Sequence, residues 1–119
     1  MIDRKKIKKE YKETVRAAAV YVVINKENKR VFIGKTRTPA TVLARLNFEL
    51  ERGSHPHKNM IEDYNVCGKN NFDVKIYTEL DISKLEEDEV GEKLNQLYET
   101  SRNKLLSENY SFYNSRAGH

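Results

Sequence analysis

Ala19-Val20-Tyr21, Phe32-Ile33-Gly34 and Gly53-Ser54-His55 follow one another at short intervals and organise the first half of this 119-residue chain. The first two triplets lie in runs of small, β-branched and aromatic residues, and the polar stretch 25–29 separates those runs. β-Branched and aromatic side chains favour strands, and polar residues between two such runs are typical of a turn. The sequence therefore predicts a β-hairpin that opens the core.

Two helices and a third strand are predicted after the hairpin. Pro39 suits the first turn of a helix, because its missing N–H needs no partner there, and Gly53 ends the apolar helical pattern that follows. A second helix begins between residues 54 and 56 and ends at Gly68, whose backbone freedom suits a helix C-terminus. Residues 72–80 then alternate apolar and polar side chains, which is the pattern of a half-buried strand.

Helices are also predicted towards both ends of the chain. Residues 2–13 form a strongly basic, loosely amphipathic helix, either a nucleic-acid arm or a solvated helix docked by its apolar side chains. Further along, Ser83 and Glu86 have the spacing of a helix N-terminus and precede one or two acidic helices interrupted near Gly91. The aromatic tail 110–114 is expected to pack back onto the fold.

The order of these elements predicts a single α+β domain over residues 1–119. We expect a small sandwich in which helices flank a three-stranded, mainly antiparallel sheet. The basic N-terminal helix occupies residues 1–14, the core residues 17–80, and the C-terminal helices and tail residues 83–119. No repeat or linker-like stretch divides the sequence.

Charge is distributed unevenly along the chain. Residues 1–80 contain 17 Lys and Arg against 10 Asp and Glu, whereas residues 81–119 contain 5 against 8. A basic surface favours a polyanionic partner through counterion release, and DNA or another nucleic acid is the candidate. Many basic faces bind nothing in particular, so charge alone leaves this partner open. The single Cys67 cannot form an internal disulfide, and no apolar run is long enough to cross a bilayer. We therefore expect a cytoplasmic protein without membrane contact.

The order and spacing of the triplets resemble the motifs of the GIY-YIG nuclease superfamily. Residues 50–55 close the first helix with a glycine and a histidine, and residues 64–68 close the second with a glycine before Asn71-Phe72, much as in family members. The likeness covers residues 18–80 and extends to Asn114. It implies the fold of that family and its reaction, the cleavage of phosphodiester bonds in DNA assisted by a divalent metal ion such as Mg²⁺.

The resemblance also assigns positions in the active site of the family. Tyr21 corresponds to the first motif tyrosine, whose phenol lies in that site. Phe32 replaces the second tyrosine, often proposed to activate the attacking water, and a phenyl ring can neither ionise nor donate a hydrogen bond. Val42 stands where the family carries a phosphate-binding arginine, and Leu46 where many members have histidine. The resemblance thus predicts the scaffold with impaired chemistry.

Charged residues near these positions are candidates to replace the lost groups. Arg45 lies three residues beyond Val42 on the same predicted helix, and Arg37 lies in the preceding loop, so either can reach a phosphate from a shifted position. Glu99 resembles the metal-binding glutamate of the family, and Asn114 resembles its late asparagine. The alternatives are that Glu99 is one more solvated acid and that Asn114 is a turn residue.

His55, His57 and Cys67 lie close together in the sequence without the spacing of zinc ligands. We expect the two histidines to mark a helix start and Cys67 to be a small buried apolar group. His55 also resembles a residue that often follows the glycine in the GIY-YIG family, where its role is expected to be structural.

Three functions remain open at this point. The first is a nucleic-acid-binding protein of the GIY-YIG family with impaired or absent nuclease activity. Besides the basic N-terminal helix, its nucleic-acid contacts would come from exposed polar and basic side chains, namely Lys35, Arg37, Arg45, Arg52 and Asn114.

The second function is an active DNA endonuclease with relocated catalytic groups, Tyr21, Arg45 and Glu99. Glu99 would then hold Mg²⁺, and only this function requires a metal cofactor. The third is a regulatory or protein-interaction module that recruits a protein partner through the acidic C-terminal region. Its partner face would consist of Leu85, Leu94 and Leu97.

Overall fold

The computed structural model describes residues 17–114, which build a four-stranded sheet with helices packed on both faces. The hairpin consists of β1 (Ala17–Asn25) and β2 (Arg30–Thr36). Helices α1 (Pro39–Arg52) and α2 (Lys58–Cys67) follow, and a 3₁₀ turn (Lys69–Asn71) leads into β3 (Phe72–Asp81). The remaining elements are α3 (Glu87–Ser107) and β4 (Ser111–Phe112).

The strands lie in the order β3-β1-β2-β4. β1 pairs antiparallel with both β2 and β3, whereas β4 pairs parallel with β2. The α+β class is confirmed, but the prediction of a three-stranded, mainly antiparallel sheet is wrong because the tail adds a fourth strand. The backbone N–H of Ser111 donates to the carbonyl of Lys29 at 3.0 Å, and that of Tyr113 donates to Val31 at 2.8 Å. A strand of two residues is too short to show the alternation from which strands are predicted.

The bounds of the first two helices follow the sequence signals closely. α1 begins at Pro39, and Gly53 adopts the left-handed φ of 72° that ends many helices. α2 begins at Lys58, slightly later than predicted, and its last residue precedes Gly68. The predicted hairpin and third strand are also present, with β3 extending to Asp81.

The C-terminal region forms one uninterrupted helix of 21 residues, so the predicted break near Gly91 is wrong. The predicted N-cap at Ser83 is wrong as well, because that serine hydrogen-bonds to Asp81 in a turn. Glu86 caps α3 instead, in a capping box with Glu89. The helix continues through the glycine because its inner face is buried along its whole length, and packing outweighs the local cost of one glycine.

Two of the sequence predictions lie wholly or partly outside the described residues. The basic helix of residues 1–14 is one, and the end of the tail beyond residue 114 is the other. Between residues 17 and 114, none of the helices has the length and apolar character needed to span a bilayer.

Alternate residues of β1 face the two helical layers. Val23 packs with Val42 and Leu46 of α1 on one face of the sheet. Val20 and Val22 pack on the other face, against apolar side chains of α3. Burial on both faces explains why the first strand reads as a continuous apolar run rather than as an alternating one.

A β-bulge interrupts β3 beside Tyr21. Val20 pairs with Thr78 and Tyr21 pairs with Ile76, so Tyr77 is an extra residue on β3. Ile76 packs towards α1 and α2, whereas Tyr77 packs towards α3. Bulges bend a strand and redirect its side chains, and they are common beside functional sites.

Candidate functional site

The hairpin brings Tyr21 and Gly34 into direct contact. The two residues are paired across β1 and β2. A Cβ atom added to Gly34 would overlap the hydroxyl oxygen of Tyr21 and the adjoining ring carbons. The phenol therefore lies across the backbone of β2, and only a glycine leaves room for it there. This contact gives a physical reason why the tyrosine of the first triplet and the glycine of the second occur together.

A cleft of about 210 Å³ opens where this hairpin meets α3 and the tail. Its walls combine aromatic rings with a few polar groups, contributed by Tyr21, Phe32, Ile33, Gly34, Lys35, Tyr98 and Asn114. The ammonium group of Lys35 lies 4.9 Å from the centre of the Tyr98 ring, in a cation–π contact. The cleft thus has an aromatic floor and a positive charge at its edge.

The phenol of Tyr21 is kept neutral by its surroundings. Burial raises its pKa above the ordinary value of 10.0, and the nearby charge of Arg45 opposes that rise. Tyr98 and Glu49 add smaller effects that raise the pKa further. At physiological pH the group is therefore a hydrogen-bond donor and acceptor, not an anion.

Phe32, which the resemblance predicts to stand in place of the second motif tyrosine, contacts two histidines. Its ring makes edge-to-face contacts with His55 and His57, with centroid distances of 5.0 Å and 5.7 Å. The Nδ1 atom of His55 accepts a hydrogen bond of 3.0 Å from the backbone N–H of His57. Burial is the main cause that lowers the pKa of His55. Since His57 is also the residue that precedes α2, the helix-start interpretation holds for it.

The two residues that the resemblance predicts to replace an arginine and a histidine lie in the core. Val42 is 0% exposed and Leu46 is 1% exposed. Arg45 lies on the exposed side of α1, and its charge acts on both Tyr21 and His55. Its Nε atom is 3.9 Å from a carboxylate oxygen of Glu49, one turn further along the helix. Of the predicted replacements, Arg45 is therefore the one whose charge acts on the phenol of Tyr21.

The other predicted basic residues are exposed and engaged with neighbours. Arg37 forms an ion pair with Glu87 in the first turn of α3. The guanidinium of Arg52 lies over the ring of Phe48, 4.8 Å from its centre. Neither contact removes the charge from solvent, so both arginines remain accessible to an anionic ligand.

Glu99 is half buried on α3, immediately after Tyr98. Tyr98 lines the cleft, whereas Glu99 does not belong to its walls. Adjacent helical residues point about 100° apart, which accounts for the difference. Within residues 17–114, no three His, Cys, Asp or Glu side chains come together in a way that would hold a metal ion. Mg²⁺ is commonly held by only one or two carboxylates together with water, so the metal-binding role of Glu99 stays a prediction.

Asn114 joins the tail to β2. Its side-chain amide accepts a hydrogen bond of 3.2 Å from the N–H of Ile33 and donates one of 2.8 Å to the carbonyl of the same residue. Its own carbonyl accepts a hydrogen bond of 3.3 Å from Arg102. The predicted contact residue thus lies at the cleft, but both ends of its amide are used within the protein.

Sequence reasoning missed two members of the site, Tyr98 and Glu49. Tyr98 follows Val90 and Leu94 at intervals of four residues, and this helical spacing marks it as an inward-facing residue of α3. Glu49 lies four residues after Arg45, which is the spacing of a helical ion pair. Both signals are present in the sequence, whereas the proximity of α3 to the hairpin is not.

Comparison with known proteins assigns neither a family nor a function to this site. The chain matches no family model, no curated protein and no solved structure.

Proposed function

We propose that this protein is a GIY-YIG-like nucleic-acid-binding protein whose nuclease activity is impaired or absent. The observation that carries the proposal is the Tyr21–Gly34 contact at a cleft where Phe32 replaces the second tyrosine. A phenol packed on a glycine of the facing strand agrees with the motif resemblance. The neighbouring replacement removes the group to which water activation is often attributed.

The buried side chains of α1 support the loss of catalysis. Val42 and Leu46 are committed to the core, so neither can contact a phosphate. A single general base or electrostatic contact typically contributes about 10²- to 10⁴-fold to a rate, and the loss of both removes most of the acceleration. The proposal therefore assigns the remaining groups to binding.

The polar groups that remain suit a phosphodiester backbone. Lys35 lines the cleft, and the charge of Arg45 acts on Tyr21 in its wall. The neutral phenol of Tyr21 can donate a hydrogen bond to a phosphate oxygen. Contacts of this kind release counterions, so the affinity is expected to fall steeply as salt rises. They do not require a metal ion.

The binding test is a salt titration of the affinity for fluorescent DNA, measured by anisotropy in the presence of EDTA. We expect a linear decrease of log K with log salt, and Arg45→Gln should reduce the slope by about one unit. Lys75→Gln is the matched control, because it removes the same charge from an exposed position on β3. Weak, salt-insensitive binding would contradict the proposal.

A second candidate function is an active endonuclease with relocated groups. Arg45 and His55 favour it, because both lie close enough to interact electrostatically with one another and Arg45 also acts on Tyr21. His55 has a lowered pKa and is therefore neutral at physiological pH, as a proton acceptor must be. This candidate predicts DNA cleavage that is lost in His55→Ala and Glu99→Ala while both variants stay folded.

The third candidate, a protein-interaction module, has less support from the packing. Leu94 is buried, and Leu85 and Leu97 pack against the same cluster, which also contains Ala18 and Ile82. These leucines cover the sheet instead of facing outward. A partner surface would have to use other residues.

A further inference from the structure

The outward face of α1 carries an aromatic ring that the core does not use. Phe48 is 55% exposed, and it is the only aromatic residue among the strongly exposed large hydrophobics of residues 17–114. Leu46 and Leu50 point into the core, and Phe48, two positions from each, is about 200° away around the helix. The ring therefore lies on the side of α1 that faces away from the core.

Two arginines flank the ring on the same face. Arg45 precedes Phe48 by three residues and Arg52 follows it by four, which are the spacings of neighbours on a helix surface. The Arg52 guanidinium lies over the ring at 4.8 Å from its centre. Of the two acids of this helix, Glu51 pairs with Lys69, whereas Glu49 pairs with Arg45 itself and offsets part of its charge. An aromatic ring between two cations suits a ligand that has both a flat apolar group and negative charge.

Arg45 couples this face electrostatically to the cleft. Its charge acts on Tyr21, which lines the cleft, and on His55, so a phosphate that binds Arg45 is within electrostatic range of both. Arg52 is seven positions after Arg45, or about 10.5 Å further along the helix axis. That length corresponds to about three nucleotides at the axial spacing of one strand in B-DNA.

We propose that Phe48 is a stacking platform for an unpaired base and that the protein prefers single-stranded or unwound nucleic acid to a regular duplex. This inference rests on the proposed function and specifies its substrate class. The faces of paired bases are covered inside a duplex, so a ring on a helix surface can stack only on a base that has left the helix. Phosphate contacts alone do not discriminate in this way.

The test compares the affinities of the wild-type chain and of Phe48 variants for a pyrimidine oligonucleotide and for a duplex that contains it. Loss of one stacked base typically costs about 5- to 150-fold in affinity. We expect losses in this range for Phe48→Ala and Phe48→Leu on the single strand, with the duplex affinity changed less than about twofold. Leu106→Ala is the matched control, since Leu106 is 52% exposed on α3, and it should leave both affinities unchanged.

A second measurement reports the stacking itself. The chain contains no tryptophan, so Phe48→Trp introduces a single tryptophan at the proposed platform, and its fluorescence can be excited selectively over that of the tyrosines. Its emission should be quenched by the single strand and not by the duplex, and its affinity should match that of the wild type.

Each other outcome overturns a defined part of the account. If the wild type binds nucleic acid and Phe48→Ala binds the single strand equally well, the platform is wrong and the proposed function stands. If the wild type prefers the duplex, the platform is likewise wrong and the proposed function stands. If the wild type binds neither nucleic acid, the proposed function itself fails. Thermal unfolding of each variant shows that it is folded, which is expected because Phe48 is exposed.

Discussion

Gly34→Ala is the most direct perturbation of the contact between the two motif triplets. The added methyl group would occupy space now filled by the hydroxyl and ring of Tyr21. Relief requires the phenol to leave its place across β2 or the two strands to separate. Overpacking of this kind typically costs about 1 to 3 kcal/mol of unfolding free energy. For a chain of this length we expect a fall in Tm of about 4 to 12 °C.

Gly91→Ala is the matched control for this substitution. A Cβ atom added to Gly91 has no neighbour within 4 Å among the described residues, and the residue lies inside α3. Alanine has the higher helix propensity, so this variant should be more stable by about 0.5 to 1 kcal/mol. The same chemical change should therefore have opposite signs at the two glycines.

A double-mutant cycle with Tyr21→Ala isolates the clash, measured by urea unfolding of the wild type, both single variants and the double variant. Removing the ring should relieve most of the cost of Gly34→Ala, giving a coupling of about 1 to 3 kcal/mol. A coupling below about 0.5 kcal/mol, or a Gly34→Ala variant as stable as the wild type, would refute the claim that the phenol rests on this glycine.

Three further predictions address neighbouring contacts. Glu87→Gln removes the ion-pair partner of Arg37. In an anisotropy titration at low salt, this variant should bind DNA up to about fivefold more tightly than the wild type. An unchanged affinity would show that Arg37 does not face the nucleic acid. Asn114→Ala breaks both hydrogen bonds to Ile33 and should lower the unfolding free energy, measured with urea, by about 1 to 3 kcal/mol. The control is Asn103→Ala on the exposed side of α3, which should change the unfolding free energy by less than about 0.5 kcal/mol. Burial raises the pKa of Tyr113 to about 12 from the ordinary value of 10.0. The neutral phenol therefore stabilises the fold fully below pH 10, and this contribution is lost as the pH rises towards 12. Over that range Tyr113→Phe should lose less unfolding free energy than the wild type, and parallel curves for the two proteins would contradict this.

The local elements were largely predictable because their signals are local. Pro39 and Gly53 mark the ends of α1 through the geometry of proline and glycine, and these properties do not depend on the rest of the fold. The hairpin was predictable because its strands are rich in β-branched residues and adjacent in the sequence. β4 was not, because it is held in place by backbone hydrogen bonds from Ser111 to Lys29 and from Tyr113 to Val31, about 80 residues earlier.

The candidate site likewise contains some contacts that could be predicted from the sequence and others that could not. The pairing of Tyr21 with Gly34 follows from the register of one hairpin. The approach of Tyr98 depends on how α3 packs against the sheet, which the helical pattern does not specify. The Glu99 prediction shows the limit most clearly, since an offset of one helical residue decides which side chain lines the cleft.

The most direct test of binding without cleavage is a time course on supercoiled plasmid and branched DNA with Mg²⁺ or Mn²⁺, at protein concentrations that saturate binding. Glu99→Ala is run in parallel, so that any cutting by a contaminating nuclease appears equally in both samples. We predict that the bound DNA stays intact with both proteins. Cutting by the wild type that disappears in folded Glu99→Ala would contradict the account and would establish a working nuclease site without the second tyrosine.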